Sequence, residues 1–280
     1  MEYIFDIFIV GIGLILGSFL NVFVLRYGTG RSMRGRSKCF TCGHTLYAKD
    51  LVPVFSYIFL GGRCRYCQSK ISSQYFIVEL LSAVIAILVA KRLGLSLPIS
   101  EAQIFLFIFS AGFFLSLLAL SVYDIKHKII PDGMLFLSAF FALANFLAVG
   151  FFYKYDSFWL EFGTRLLEGI MIALPFFIVW LLSKGKWMGF ADWKLALIIG
   201  FFFGFEMALS SVIFAFWIGA FVSIVLIFFG RFLWFERLFQ FSSNLNRKSE
   251  VPFGPFLTAG ALVTYLFAIM YMDIVNLFIF

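Results

Sequence analysis

Long apolar segments separated by short polar ones dominate this chain, and they constrain its fold more than any other feature. Of its 280 residues, 62% are hydrophobic and 13% are charged. A soluble domain has about 45–50% apolar and about 25% charged residues. A helix that spans a membrane needs about 20 mostly apolar residues, because hydrocarbon leaves no partner for exposed backbone groups. The sequence therefore predicts an all-α polytopic membrane protein embedded in a lipid bilayer.

Apolar windows of suitable length define about eight transmembrane helices. We predict them near residues 3–25, 74–90, 103–123, 132–152, 166–183, 194–206, 208–230 and 256–277. The apolar stretch 195–230 fits two short helices with a turn at Glu206 better than it fits one helix. The first segment is expected to be retained and not cleaved as a signal peptide, because Glu2 and Asp6 occupy the place of a basic n-region.

Lysine and arginine are concentrated on one side of the predicted bundle. The first loop, residues 27–73, is strongly basic and is the only segment large enough to form a small domain outside the membrane. The same side receives Lys126, Lys128, Lys184, Lys186, Arg231, Arg237, Arg247 and Lys248. The loops assigned to the other side carry Lys91, Arg92, Lys154 and Arg165, offset by Glu101, Asp156, Glu161 and Glu168. This bias predicts a cytoplasmic first loop and both termini outside the cytoplasm, and it explains the net charge of +7 without nucleic-acid binding.

All four cysteines lie in the first loop, as two C-x-x-C pairs. They are Cys39, Cys42, Cys64 and Cys67. Paired knuckles of this kind are typical of a structural tetrahedral zinc site, with tight turns expected at Gly43 and Gln68. Four thiolates leave no open coordination position, which argues against a catalytic zinc. Disulfides or redox thiols are the alternative, although a cytoplasmic loop disfavours stable disulfides, and His44 could compete as a ligand.

Two aspartates lie at the predicted cytoplasmic boundary of the membrane. Asp124 follows one apolar run and Asp192 precedes another. A carboxylate beside hydrocarbon is costly and usually functional, and two that meet can share a proton and activate water. Each could instead form an interfacial ion pair, with nearby Lys126 and Lys128 or with Lys194. Glu79, inside the second span, could serve function or a hydrogen bond to a neighbouring helix.

Several short motifs follow one another in a specific order. They are Leu16-Gly17-Ser18-Phe19-Leu20-Asn21-Val22 with Arg26, the two cysteine knuckles, Ile71-Ser72 with Tyr75 and Glu79-Leu80-Leu81, Asp124 with Ile130-Pro131-Asp132, Gly189-Phe190-Ala191-Asp192-Trp193-Lys194, and Pro252-Phe253-Gly254-Pro255-Phe256. Together they resemble the type IV prepilin peptidases over nearly the whole chain. One position departs from that pattern, since Ala191 replaces the second glycine of Gly-x-Gly-Asp, where a positive φ would be strained.

The resemblance implies a bifunctional enzyme of the bacterial inner membrane. Such enzymes use two aspartates, here Asp124 and Asp192, to cut the basic leader from prepilins or pseudopilins after a glycine at the cytoplasmic face. Many then methylate the new N-terminus with S-adenosylmethionine. The chain is accordingly expected to divide into residues 1–98, with the zinc loop and the methyltransferase part, and a peptidase domain over residues 99–280.

Three other classes remain open from the sequence. The first is an intramembrane aspartic protease for another leader or signal peptide. The second is a proton-coupled transporter, which would be expected to bury its carboxylates near the midplane and gives no reason for a zinc loop. The third is a scaffold with a zinc module, whose binding would survive the loss of both aspartates.

Overall fold

The computed structural model describes residues 2–30, 32–33, 35–95, 97–229, 252–270 and 273. Regular structure in this part of the chain is helical, apart from two isolated β-bridges in the first loop. Several predictions lie outside the described residues. They concern the side chain of Glu2, the charges of Arg31, Arg34, Arg231, Arg237, Arg247 and Lys248, and the end of the last predicted span.

Helices occupy all eight predicted positions, and the all-α membrane class is confirmed. They are α1 (Glu2–Arg26), the short α2 (Phe55–Phe59) in the first loop, α3 (Ser73–Arg92), α4 (Glu101–His127), α5 (Asp132–Tyr153), α6 (Phe158–Ser183), α7 (Phe190–Phe203), α8 (Phe205–Phe229) and α9 (Gly254–Phe267). Six of the described helices are long and apolar enough to cross a bilayer. The described parts of α7 and α9 have 14 residues each, so the count of eight spans stays a prediction.

Helix α6 begins eight residues before its predicted start at 166, at Phe158. The sequence-based charge count assigned Glu161, Arg165 and Glu168 to loops. All three instead lie within α6. Glu161 lies in the first turn, where the helix dipole favours an acidic side chain, and Arg165 lies 3.7 Å from Glu168 one turn later. Glu101 is likewise the first residue of α4 and follows a Ser100–Gln103 capping box.

The turn between α7 and α8 lies at Gly204, two residues before the predicted turn at Glu206. Gly204 has φ 82° and ψ 172°, a conformation that is readily available only to glycine. A Cβ at this position would also collide with the Arg165 guanidinium. Glu206 lies in the first turn of α8. The prediction of two helices was therefore correct, but only α7, with 14 residues, is short, since α8 has 25 residues. The turn is fixed by backbone conformation and not by the charged residue.

The chain forms two compact units, Met1–Leu97 and Pro98–Phe280. In the first, α1 packs directly against α3, because Gly13 and Gly17 bring the two backbones into contact. In the second, α4 pairs with α5, α6 with α7, and α8 with α9. Its most deeply buried large side chains include Phe113, Phe114, Leu117, Leu120, Leu195, Ile199 and Leu257.

Candidate active site and metal centre

Asp124 lies in the last turn of α4 and is only 4% exposed. Its carboxylate lies against Gly254, at the start of α9, whose backbone N–H interacts favourably with it. A Cβ on Gly254 would lie 2.7 Å from Asp124 Oδ2, so only glycine allows this approach without a shift. The start of α9 thus contacts Asp124 directly.

Asp192 lies in the first turn of α7 and is 6% exposed. Its Oδ2 accepts a hydrogen bond of 3.0 Å from the N–H of Gly189, the N-cap residue of the helix. This contact ties the carboxylate to its own helix start and limits its rotation. Phe190 and Trp193 flank Asp192 in the chain, and their rings pack edge to face, 5.6 Å apart.

The two carboxylates interact electrostatically, although they belong to helices far apart in sequence. Within the described residues, neither carboxylate has a salt bridge to a lysine, arginine or histidine. The ammonium of Lys194 instead lies 2.7 Å from Asp132 Oδ1 on α5. The ion-pair alternatives for Asp124 and Asp192 therefore find no support in this part of the chain. Two buried carboxylates without a cation are energetically expensive, which favours a chemical role.

A second polar contact holds α4 against α9 one turn from Asp124. Ser121 Oγ lies 2.8 Å from Thr258 Oγ1, and both side chains are buried. Ser121 precedes Asp124 by three residues and Thr258 follows Gly254 by four, so both contacts lie on the same faces of the two helices. Sequence reasoning missed this pair. The i, i+3 and i, i+4 spacing was the only signal, and it becomes readable only once α4 and α9 are known to be neighbours.

Ala191 causes no backbone strain. It lies inside the first turn of α7 and is not among the residues with positive φ. Gly189, two residues earlier, has φ −68° and ψ 147°, which is ordinary extended backbone. The departure from Gly-x-Gly-Asp is therefore compatible with the local geometry, because a right-handed helical position accepts alanine readily.

The contact at Gly254 gives a direct prediction. Gly254→Ala should displace the Asp124 carboxylate and destabilise the protein by about 1–3 kcal/mol, as overpacking usually does. We expect a lower unfolding temperature and lower activity of this site. Gly163→Ala on α6 is the matched control, because a Cβ there meets nothing within 4 Å. Equal thermal stability of the two variants would contradict the described packing of Gly254 against Asp124.

The four cysteines of the first unit converge on one point. Their Sγ atoms all lie within 4.8 Å of one another, and those of Cys39 and Cys67 are 3.8 Å apart. A tetrahedral zinc with Zn–S bonds of about 2.3 Å requires sulfur atoms about 3.8 Å apart. The described cluster consists of the cysteines alone, while the His44 ring stacks on Tyr66 with centroids 3.7 Å apart. The thiols are free and fit a four-cysteine metal site.

The two knuckles have the same local geometry. The N–H of Gly43 donates to Cys39 O, and the N–H of Gln68 donates to Cys64 O, each over 2.9 Å. Gly43 has φ 70° and Gln68 has φ 58°, so the predicted tight turns are confirmed. An antiparallel bridge encloses each pair, Lys38 with Thr45 around the first and Arg63 with Lys70 around the second.

The thiols influence one another strongly. The Cys42 N–H hydrogen bond lowers the pKa of the Cys39 thiol to about 6. The His44 N–H favours ionisation of Cys42, but burial and the sulfurs of Cys39 and Cys67 outweigh it and raise the pKa of Cys42 to about 11. Charge on one sulfur thus opposes charge on the next. A bound divalent cation would remove this opposition, because it stabilises all four thiolates at once.

Glu79 joins the two helices of the first unit to the loop between them. It is 7% exposed, and its carboxylate interacts with the Ser18 side chain of α1. Its Oε2 also accepts a hydrogen bond of 2.7 Å from the N–H of Val54. Glu79 therefore interacts with a neighbouring helix, in line with one of its two interpretations, and also accepts a hydrogen bond from the loop.

Comparisons with known proteins agree with this arrangement. The family model for the Bacterial Peptidase A24 N-terminal domain matches residues 11–93, and that for the Type IV leader peptidase family matches residues 111–224. A Prepilin leader peptidase/N-methyltransferase of Burkholderia pseudomallei (strain 1026b) is 30% identical, over 93% of this chain and 84% of that protein. The protein of that name from Bacillus subtilis (strain 168) is 29% identical, over 91% of both chains. No solved structure matches the chain.

Proposed function

The chain belongs to the type IV leader peptidase family, and from this membership we propose that it is a membrane-embedded aspartic endopeptidase that removes the basic leader from prepilins or pseudopilins. Curated relatives carry the name of this activity over most of the chain. The observation that carries the aspartic mechanism is that the carboxylates of Asp124 and Asp192 are both buried, have no cationic partner among the described residues and are near enough for the charge of Asp192 to act on Asp124. No other described pair of unpaired carboxylates shares these properties.

In the proposed reaction the two aspartates act as one acid–base unit. One carboxylate takes a proton from water, which attacks the scissile carbonyl, and the other donates a proton to that carbonyl oxygen. The amide C–N bond then breaks, the released amine takes up a proton, and no covalent intermediate forms. The Gly189 and Gly254 N–H groups would hold the two carboxylates in place during these proton transfers.

The location of the site fits a substrate with a polar leader and an apolar helix. Asp124 is three residues from the C-terminal end of α4 and Asp192 is the third residue of α7, so both lie near helix ends. A leader–helix junction would lie at the same membrane boundary. The basic residues flanking this side favour the cytoplasmic face, with both termini on the opposite face. Cleavage is proposed to follow a glycine.

Substrate selectivity tests this proposal. We expect the purified protein to cut a prepilin with a basic leader and a Gly-Phe junction, and to cut the same prepilin much more slowly when the glycine is replaced by valine. The loss should be large, since a β-branched residue resists close approach of the backbone. Equal cleavage of both substrates, or cleavage elsewhere, would support a protease for another leader or signal peptide.

We further propose that the first unit transfers a methyl group from S-adenosylmethionine to the new N-terminus. The curated relatives carry N-methyltransferase in their names. The sequence has no glycine-rich Rossmann-type loop, so no donor contacts are assigned and no step is derived. The four cysteines would hold a structural zinc, whose chemistry is to fix the loop and not to react.

The two activities should be separable. With radiolabelled methyl donor, we expect the wild-type protein to label both a prepilin and a pilin that was cleaved beforehand. Asp192→Asn should label only the pre-cleaved pilin, because the aspartate lies outside the unit proposed to transfer methyl groups. No label on either substrate with wild type would leave a peptidase alone. If the wild-type protein labels pre-cleaved pilin but Asp192→Asn does not, the two activities share Asp192.

A further inference from the structure

An uncharged apolar stretch interrupts the basic first loop. Residues 51–62 contain no charged side chain, although Asp50 and Arg63 border them directly. Five of their large apolar side chains are exposed: Leu51 38%, Val52 45%, Phe55 53%, Ile58 59% and Phe59 83%. A contiguous exposed apolar patch on a soluble surface marks an interaction site. The first loop, predicted to lie outside the membrane, thus presents an exposed apolar surface.

This stretch lies beside the membrane-spanning part of α3. The N–H of Val54 reaches Glu79 Oε2, and the ring of Tyr57 packs against Phe76 with centroids 5.5 Å apart. Glu79 lies six residues beyond Ser73, the first residue of α3, which places it about 9 Å along the helix axis. The interfacial layer on each side of a bilayer is about 5–8 Å thick. With Ser73 placed at the outer edge of this layer, the contact with Glu79 would hold the stretch at the depth where acyl chains begin.

Most backbone N–H groups of this stretch donate to acceptors within the protein. N–H groups donate to protein acceptors in residues 54–56, 58 and 60–63. Val54 has φ 63° and ψ −53°, and the N–H of Phe55 bonds to Pro53 O, which together form a tight three-residue turn. This conformation is strained for a β-branched residue, and it leaves the Val54 N–H for Glu79. In a water-poor environment backbone N–H groups need acceptors within the protein, because little water is available to accept their hydrogen bonds.

We propose that residues 51–62 form a membrane-interface element that inserts Phe55, Ile58 and Phe59 among the acyl chains of the bilayer. Arg63 directly follows this element, and an antiparallel bridge pairs it with Lys70; both residues are exposed. In the proposed orientation their charges would face phospholipid phosphates. The occupant of the patch is thus the lipid leaflet at the start of α3, and the element anchors the cysteine loop to the membrane surface.

Photocrosslinking in vesicles tests this inference. The full-length protein, with Phe59 replaced by p-benzoylphenylalanine, is reconstituted into vesicles of phosphatidylethanolamine and phosphatidylglycerol and irradiated. Phe40 in the first knuckle is the matched control, because it is an aromatic residue of similar exposure, 67%, outside the apolar stretch. We expect phospholipid adducts at position 59 several-fold above those at position 40, by mass spectrometry of the labelled peptides.

Two results would overturn the proposal. Equal lipid adducts at positions 59 and 40 would mean that the patch does not enter the bilayer preferentially. Crosslinks from position 59 to a second copy of the chain, or to an added prepilin, without lipid adducts would assign the surface to a protein partner. The same probe at Ile58 provides a second position should the variant at 59 fail to fold, as judged by its helical circular dichroism.

Discussion

Replacing Asp124 or Asp192 with asparagine is expected to lower the rate of prepilin cleavage by about 10²–10⁴-fold, the range that a positioned general acid or base contributes. Asparagine preserves the size and the hydrogen-bond acceptor that each position needs, including the contact from Gly189 to Asp192. It cannot exchange the proton that the reaction requires. The effect should appear in the rate of the chemical step, measured under single-turnover conditions.

The double variant distinguishes a shared unit from two independent residues. Because groups that act together are strongly non-additive, Asp124→Asn with Asp192→Asn should be no slower than the slower single variant. Asp156→Asn, in the turn between α5 and α6, is the control, since that side chain is exposed. Near-normal cleavage by either single variant, in a protein that unfolds at the wild-type temperature, would contradict the proposal that Asp124 and Asp192 form a catalytic dyad.

Replacing Cys64 with serine is expected to reduce bound zinc from about one ion per chain to a small fraction and to unfold the first loop. Between residues 35 and 72, only Gly62 and Cys64 are buried, so the loop lacks a hydrophobic core of its own. Apparent zinc-binding free energies in small cysteine and histidine modules are about 10–16 kcal/mol, which is more than such a loop obtains from packing. Metal content and limited proteolysis of the loop measure both effects.

Thr41→Ser provides the matched control for the zinc prediction. It changes an exposed residue between the two cysteines of the first knuckle and removes no sulfur ligand. We expect it to retain zinc and protease resistance, with all four thiols protected from alkylation until a chelator is added. Wild-type protein that contains no metal but has oxidised cysteines would support the disulfide alternative instead.

The sequence predicted the positions of the helices well because hydropathy reports burial in lipid directly. It predicted the start of α6 and the α7–α8 turn less well for a related reason. Glu161 and Arg165 are tolerated in a helix near its end, and the turn depends on the backbone of Gly204, which hydropathy does not measure. The positions of the two aspartates also argue against the transporter alternative, because both lie near helix ends and not near the middle of a helix.

Residues of the candidate site could be named from the sequence, but their partners could not. Asp124 and Asp192 stand out because charge is rare in apolar surroundings. The contact of Gly254 with Asp124, and that of Lys194 with Asp132, depend on which helices are neighbours. The position of residues 51–62 beside α3 could not be predicted for the same reason, because the hydrogen bond between Val54 and Glu79 joins residues 25 positions apart. A single sequence gives local pattern, whereas these contacts arise from tertiary packing.

The most direct test of the proposed function is the mass of a prepilin after incubation with the purified, reconstituted wild-type protein, without a methyl donor. We predict two products, a basic leader that ends in glycine and a pilin that begins with the following residue, with one water added across the cleaved bond. An unchanged prepilin mass, with folded and zinc-loaded protein and several prepilins tried, would contradict the assignment of this chain as a prepilin peptidase.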